Sequence, residues 1–354
     1  MIDLICGARP NFMKIDPIVR NMDQGIPVRI VHTGQHYDHI MSQSFFDQLQ
    51  LPPPDLNLEV GSASITVQTA EIMQRYEEVV LQRMPGAVVV VGDVNSTLAC
   101  SIVAVRYGIP VIHVEAGLRS FDRSMPEEIN RVLTDQIAGL LLITSSEARD
   151  NLLAEGRSSS MIKLVGNPMI DTLRRLLPMA MATEEPPAQG PYCLVTLHRP
   201  SNVDDPQRLQ ELLNALGSLE DLAVVFPAHP RTQGNIRNWN LEVPRNIVMG
   251  EPMTYLQFLS AQACAAGVIT DSGGVQEETS VLGVPCVTVR TSTERPVTLE
   301  LGTNVLCPDV SALGGAVSRQ MDKRPPEPPE IPLWDGGSGA RISAAIEEFI
   351  GGKR

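Results

Sequence analysis

Short apolar, β-branched runs alternate with amphipathic stretches along almost the whole chain, and that alternation restricts the fold more than any other feature. In the first half the runs fall at residues 4–6, 28–31, 88–91, 111–114, 140–143 and 162–165. Helical patterns at residues 12–22, 65–83, 97–107, 128–137 and 147–155 separate them. Strands that are apolar on both faces belong to a parallel sheet covered by helices on each side. The alternation breaks at residues 178–191, which read as a linker around Glu184-Glu185-Pro186-Pro187, and then restarts. Strand candidates follow at 193–196, 223–226, 247–249, 268–270, 286–289 and 305–307, with helices at 207–216, 255–262 and 275–282. The expectation is an α/β protein of two Rossmann-like, doubly wound domains, residues 1–170 and 171–337. A last helix, within about 338–354, would dock back on the first domain. An interdomain cleft would collect the C-terminal strand ends of both sheets.

At 354 residues the chain is long enough for two separate cores. Its net charge of −13 argues against nucleic acid or an anionic membrane as partner. A phosphate site on such a protein must be local, built from a few cations and backbone N–H groups. No apolar run reaches the ~18 residues of a membrane span, and the opening Met1–Gly7 segment has no basic leader, so a cytoplasmic location is expected. The six cysteines are scattered without a C-x-x-C pair and read as reduced core residues.

Polar clusters begin where the apolar runs stop. After the first comes Gly7-Ala8-Arg9-Pro10-Asn11-Phe12-Met13-Lys14, where Asn11 could cap a helix whose start is flanked by two cations. It matches neither a dinucleotide fingerprint nor a P-loop. Gly34-Gln35-His36-Tyr37-Asp38-His39 offers polar contacts, while His36 and His39 lack the partners of a metal site; no metal is expected. Asp93 follows a run in Gly92-Asp93-Val94-Asn95 and suits either chemistry or a cap. Strand alternation would put His113 and Glu115 on one face, and a buried Glu115 needs a partner or a task. Glu127 and Glu128 open the next helix. Asp93, Glu115 and Glu127 share one sheet edge, an arrangement suited to proton transfer at two faces of a carbon.

The second half repeats the pattern with His198-Arg199 and His229-Pro230-Arg231, each a His and an Arg at a strand end. Asp271-Ser272-Gly273-Gly274-Val275-Gln276-Glu277-Glu278 would aim helix N–H groups at an anion such as a diphosphate. Glu278, a turn into that helix, could accept two ribose hydroxyls. Thr293-Glu294-Arg295-Pro296 adds a cation.

These motifs, together with Gly166-Asn167-Pro168, run in one order from residue 7 to 296. So ordered, they resemble the non-hydrolysing UDP-N-acetylglucosamine 2-epimerases, two-domain proteins of the glycosyltransferase-B type. The resemblance implies loss of UDP from C1 as the C2 proton is removed, giving a 2-acetamidoglucal, followed by readdition of UDP after protonation from the other face. It implies no cofactor, because nothing is oxidised. It implies Asp93, Glu115 and Glu127 as acid/base groups and His198 as support for the departing diphosphate. Arg9, His229, Ser272, Gly273 and Gly274 would hold phosphates, Glu278 the ribose, and Arg295 the sugar or diphosphate. Lys14, Gln35, His36, Gln68 and Arg131 are further substrate contacts. The partners implied are UDP-N-acetylglucosamine, UDP-N-acetylmannosamine and UDP, on a homodimer. A hydrolysing epimerase, a UDP-sugar glycosyltransferase and a non-catalytic nucleotide-sugar sensor are the alternatives.

Two positions depart from the pattern. Many bacterial members carry Arg where this chain has Tyr37 and Thr-Arg-Pro-Glu where it has Ala8–Asn11, and those surroundings help form an activating UDP-N-acetylglucosamine site. The chain is therefore expected to turn over without activation by its own substrate. UDP-N-acetylmannosamine offered alone should react at once; a lag that ends on adding UDP-N-acetylglucosamine would contradict this.

Overall fold

The computed structural model describes residues 1–22, 25–34, 48–219 and 222–352. The chain divides into two compact units, Met1–Arg175 with Pro332–Arg354, and Leu176–Ile331.

Unit 1 holds a seven-stranded sheet of β1 (Ile2–Cys6), β2 (Val28–His32), β3 (Leu56–Asn57), β4 (Ala87–Val91), β5 (Val111–Val114), β6 (Leu140–Ile143) and β7 (Ile162–Leu164). Their spatial order is β3-β2-β1-β4-β5-β6-β7, every pair parallel. The helices are α1 (Arg9–Asn21), α2 (Ile65–Gln82), α3 (Asn95–Arg106), α4 (Pro126–Ile137), α5 (Glu147–Ala154) and α6 (Pro168–Thr183). β4 is the five-residue run Ala-Val-Val-Val-Val, buried throughout. On one face its Val88 and Val90 share a core with Ile72 and Tyr76 of α2 and Val103 of α3. Each buried Val contributes about 1.5–3 kcal/mol, so this sheet is stable only while both faces stay covered.

Unit 2 repeats the plan with six parallel strands, β8 (Tyr192–Thr196), β9 (Ala223–Pro227), β10 (Ile247–Gly250), β11 (Gly267–Thr270), β12 (Cys286–Thr288) and β13 (Asn304–Leu306). Their order is β10-β9-β8-β11-β12-β13. That is the Rossmann order 3-2-1-4-5-6. Its helices are α7 (Pro200–Val203), α8 (Pro206–Gly217), α9 (Pro230–Asn238), α10 (Tyr255–Cys264), α11 (Gly273–Leu282), α12 (Val297–Glu300) and α13 (Leu313–Asp322). Leu209, Leu212, Leu213 and Leu216 of α8 cover one face of the sheet; Ala261 of α10 and Val275 of α11 cover the other. In both sheets the strand order reverses once, between β1 and β4 and between β8 and β11. Ligands of open parallel sheets bind at that reversal, outside the carboxyl ends of the strands.

Several local expectations are corrected. The stretch 178–191 is not all linker, because α6 continues through Pro178 to Thr183. The passage between the units falls inside this helix, at Arg175–Leu176. Asn11 is not the N-cap residue of α1, which starts two residues earlier at Arg9 with Pro10 in its first turn; it caps from the third helical position, its side chain accepting the Ala8 N–H. Asp93 is not a cap either, since Val94 holds that position before α3. β3, α6, α7, α9, α12 and α13 had no counterpart in the apolar pattern. Among the described residues, no helix is long and apolar enough to cross a membrane.

The last helix, α14 (Ser338–Gly351), packs on α1 within unit 1. Gly339 donates its N–H to Asp171 Oδ2 at 2.7 Å, and Trp334 Nε1 donates to the Thr144 carbonyl at 3.0 Å. A β-carbon on Gly339 would overlap the Pro17 carbonyl oxygen of α1. Gly339→Ala is therefore expected to force the two helices apart and cost about 1–3 kcal/mol. Urea unfolding would read this, and a variant as stable as the parent would show that the contact is not tight.

Candidate active site

At the reversal in unit 1, the turn after β1 is tied to the end of β4. Asn11 Oδ1 accepts the N–H groups of Gly7 (3.0 Å) and Ala8 (2.9 Å), while its Nδ2 donates to the Val91 carbonyl at 3.1 Å. One turn along α1, the buried Lys14 ammonium pairs with Glu115 Oε2. Between them passes Gly92, in the left-handed region at φ +67°. A β-carbon there would stand 3.1 Å from Lys14 Nζ and 3.3 Å from Glu115 Oε2. Both the backbone conformation and the close approach require glycine.

Glu115 does not lie on the strand. β5 ends at Val114, and Glu115 turns at φ +73° while its N–H donates to the Leu142 carbonyl at 2.9 Å. The alternation argument for a shared face with His113 therefore fails; a strained turn and a cation deliver this carboxylate. A non-glycine residue in that region costs about 1–3 kcal/mol and persists only where its surroundings enforce it. His113 instead braces the neighbouring turn, with Nε2 2.8 Å from the Gly92 carbonyl and Nδ1 2.7 Å from Asp135 Oδ1. Asp135 also meets Arg119 Nη2 at 2.7 Å and the Gly117 N–H at 3.0 Å. Burial alone would raise the Asp135 carboxyl, but His113 and Arg119 hold it below the usual carboxylate range.

Asp93 follows β4 and pairs with Arg131 of α4. Its carbonyl accepts from Asn130 Nδ2 at 2.9 Å, and Asn130 also reaches Asn95 Oδ1 at 3.2 Å. Asn95 in turn donates to Gln68 Oε1 at 2.8 Å. Arg131 also binds Glu128 Oε2 at 2.8 Å. Glu128 is not simply a helix-dipole acid: its carboxylate accepts the N–H groups of Ser120 and Phe121, each at 3.0 Å. Gln68, Asp93, Asn95, Glu127 and Asn130 line a cavity of 340 Å³ within unit 1. Glu127 is exposed there, and no cation among the described residues pairs with it.

In unit 2 the ends of β8 and β11 meet through Asp271, whose Oδ1 lies 2.9 Å from His198 Nδ1. Beside it, α11 starts at Gly273 with Ser272 as its cap, so its first N–H groups face the strand ends. A β-carbon on Gly273 would come within 2.6 Å of Glu294 Oε1. Arg295 is buried and spans Glu277 (2.9 Å) and Glu294 (3.3 Å), while Arg290 binds Glu294 at 2.7 Å. Two cations and two carboxylates thus close on one another beneath the helix start. Glu278 is buried, only 4% exposed, and accepts the Tyr255 hydroxyl at 3.0 Å. His229 caps α9, its Nδ1 accepting the Arg231 N–H at 3.2 Å, so a neutral ring carries its proton on Nε2.

The unit 1 positions Lys14, Glu115, Asp93, Glu127, Gln68 and Arg131 thus gather around the β1/β4 reversal. His198, Ser272, Gly273, Gly274, Arg295 and Glu278 gather around β8/β11, with His229 at the end of the next strand. The Arg9 side chain, Gln35 and His36 lie outside the described residues, as do Tyr37 and His39. Among the described residues, no group of three or more His, Cys, Asp or Glu is arranged for a metal. Asn130, Asp135 and Asp271 were given no role in the sequence reading, and Asn11 only that of a helix cap; of the first three, Asp271 stood first in the Ser-Gly-Gly motif.

The family model described as UDP-N-acetylglucosamine 2-epimerase matches residues 20–347. A UDP-N-acetylglucosamine 2-epimerase of Methanocaldococcus jannaschii is 41% identical over 357 residues, covering 96% of this chain and 97% of that one. A crystal structure of the M. jannaschii UDP-GlcNAc 2-epimerase in complex with UDP-GlcNAc and UDP superposes with a TM-score of 0.90 at 40% identity, covering 98% of this chain and 99% of that one. A UDP-2,3-diacetamido-2,3-dideoxy-D-glucuronate 2-epimerase of Pseudomonas aeruginosa is 40% identical over 308 residues, covering 85% of this chain and 86% of that one. With two parallel sheets whose reversals carry carboxylates in one unit and a helix start in the other, the chain belongs to the UDP-N-acetylglucosamine 2-epimerase family.

Proposed function

We propose that the chain interconverts UDP-N-acetylglucosamine and UDP-N-acetylmannosamine without net hydrolysis. In the forward elimination the C2–H and C1–O bonds break. A carboxylate takes the proton, the electron pair forms the C1–C2 double bond, and UDP leaves with the C1–O pair. In the return step a carboxylic acid protonates C2 from the opposite face and a UDP oxygen bonds to C1. Atoms and charge balance without oxidant or reductant.

The observation that carries this reading is the carboxylate arrangement in unit 1. Asp93 and Glu115 follow adjacent strands on either side of the Gly92 turn, each with its own cation, Arg131 and Lys14. Glu127 lines the same cavity as Asp93 and has no such partner among the described residues. Inversion at one carbon needs a proton taken at one face and given at the other, and carboxylates in unlike settings meet that need. Unit 2 supplies the groups for the diphosphate: the α11 N–H groups at Gly273 and Gly274 with the Ser272 hydroxyl beside them, His198, and the Nε2–H of His229. Arg295 acts there as well and Glu278 takes the ribose, while the phosphate role of Arg9 rests on the resemblance alone. The relatives named for UDP-N-acetylglucosamine favour that sugar over a diacetamido uronate.

The decisive experiment is incubation with UDP-N-acetylglucosamine in deuterated water, followed by proton NMR. Deuterium at C2 with the UDP linkage kept in both epimers is expected. Unlabelled substrate would overturn the reading, and free N-acetylmannosamine with UDP would replace it by a hydrolysing epimerase. Glu115→Gln and Asp93→Asn should each lower kcat on the order of 10²–10⁴-fold, the usual worth of a positioned acid or base.

Glu278 gives a pH-dependent test of the ribose role. Burial first, and then the Glu277 charge, push its carboxyl up from 4.5 to about 7 against the Tyr255 hydroxyl bond. Between those values the folded state holds a proton that the unfolded state has lost, so stability falls as pH rises through the window. Above pH 7 the whole penalty remains, of order 3 kcal/mol. Glu278→Gln should therefore be more stable than the parent at pH 8, equal to it near pH 4.5, and weaker in UDP binding by roughly 10-fold. Urea unfolding at both pH values and calorimetric titration with UDP would measure this; an unchanged pH slope would refute it.

A further inference from the structure

His198 alone does not determine what its ring presents. Its side chain is 54% exposed, and a free imidazole would sample two tautomers and several rotamers. Asp271, completely buried at the end of the neighbouring strand, removes that freedom. Its Oδ1 lies 2.9 Å from His198 Nδ1. Its Oδ2 accepts the Arg199 N–H at 2.9 Å and Asn202 Nδ2 at 3.0 Å, and the His198 N–H reaches both oxygens at 3.2 and 3.1 Å. The Asp271 carbonyl accepts Arg199 Nε at 3.0 Å. Burial would raise this carboxyl, but the bonds from His198, Asn202 and the Arg199 N–H keep it below its ordinary value. A carboxylate only accepts, so the ring must donate from Nδ1, which leaves Nε2 on the exposed side.

We propose that Asp271 is the positioning residue of the reaction: it fixes His198 with Nδ1–H turned inward, and its carboxylate supports the doubly protonated ring whose Nε2–H donates to the departing diphosphate oxygen. This rests on the role given to His198 above. Partners that fix the ring orientation and tautomer of a working histidine are worth on the order of 10–10⁴-fold in activity or affinity. The rival explanation is that Asp271 merely staples the β8–α7 turn through its backbone contacts. Asp271→Asn separates the two, because an amide keeps the size and one acceptor but can no longer take both the turn N–H groups and the Nδ1 proton.

Two measurements on the full-length protein decide. In ¹⁵N-histidine-labelled protein at pH 8, the His198 signals are those missing from His198→Gln. They should report a protonated Nδ1 in the parent and an altered pattern in Asp271→Asn. A bare Nδ1 in the parent, or the same pattern in both proteins, overturns the proposal. This reading needs no turnover and survives failure of the epimerase assignment; it also decides from the parent alone if Asp271→Asn does not fold. In turnover, Asp271→Asn should lose on the order of 10²-fold in kcat while KM and the Kd for UDP stay within about 3-fold. In a His198→Gln background the same change should cost about 2-fold or less. Equal losses in both backgrounds, or a fall in UDP affinity that matches the fall in kcat, would make Asp271 a structural residue only.

Discussion

The Lys14–Glu115 pair sets the terms for unit 1. Both groups are buried where the sheet reverses, and a charge there without its partner would cost about 3–5 kcal/mol. The pair in turn dictates its surroundings. Gly92 must lack a side chain because the ammonium and the carboxylate close around it, and Glu115 must adopt a left-handed backbone to reach the ammonium. Asn11 fastens the α1 start to the end of β4 so that Lys14 arrives in register. His113 and Asp135 brace the Gly92 carbonyl from the other side. A site built this way is rigid before any ligand arrives, which is what proton transfer to a defined face demands.

Unit 2 meets the same topological constraint with different chemistry. In each sheet the strand that crosses the reversal, β4 or β11, is followed by an aspartate. Asp93 stays partly accessible, shares Arg131 with Glu128, and lines a cavity. Asp271 is wholly enclosed and spends every acceptor on the neighbouring turn. One position in the fold therefore yields a group that can react and, in its counterpart, a group that can only hold another. Burial and the count of donors decide which.

The strand ends were legible because a parallel sheet covered on both faces demands uninterrupted apolar residues, and every such run of four or more is a strand to within a residue or two. Helix starts were less legible. α1, α4, α8 and α9 each begin with proline in the first turn, ahead of the apolar periodicity by which a helix is recognised. β3 is only two residues long, too short for any period. Pro178 looked like a break, yet α6 continues through it. The motifs marked which residues stand at strand ends, but not which of them touch. The Asp135 contact to His113 spans 22 positions and that of Asp271 to His198 spans 73, and no spacing rule connects them. Glu115 looked like a strand residue because only the backbone shows the turn that carries it.

Stability and chemistry pull apart most clearly at Glu278. Its carboxyl is buried and pushed up to about 7 with the Tyr255 hydroxyl as its main support, so its ionisation costs the folded chain stability. An apolar or amide side chain of similar size would be easier to accommodate. A buried, under-supported carboxylate beside a helix start is best understood as an acceptor awaiting donors, and the paired hydroxyls of a ribose supply two. Arg295 and Arg290 show the complementary solution, with each cation locked to Glu277 or Glu294 beneath the same helix. The permanent ion pairs keep the α11 start in place; among the described residues Glu277 and Glu294 each pair with a cation and Glu278 does not, and Glu278 is the one assigned to the ribose.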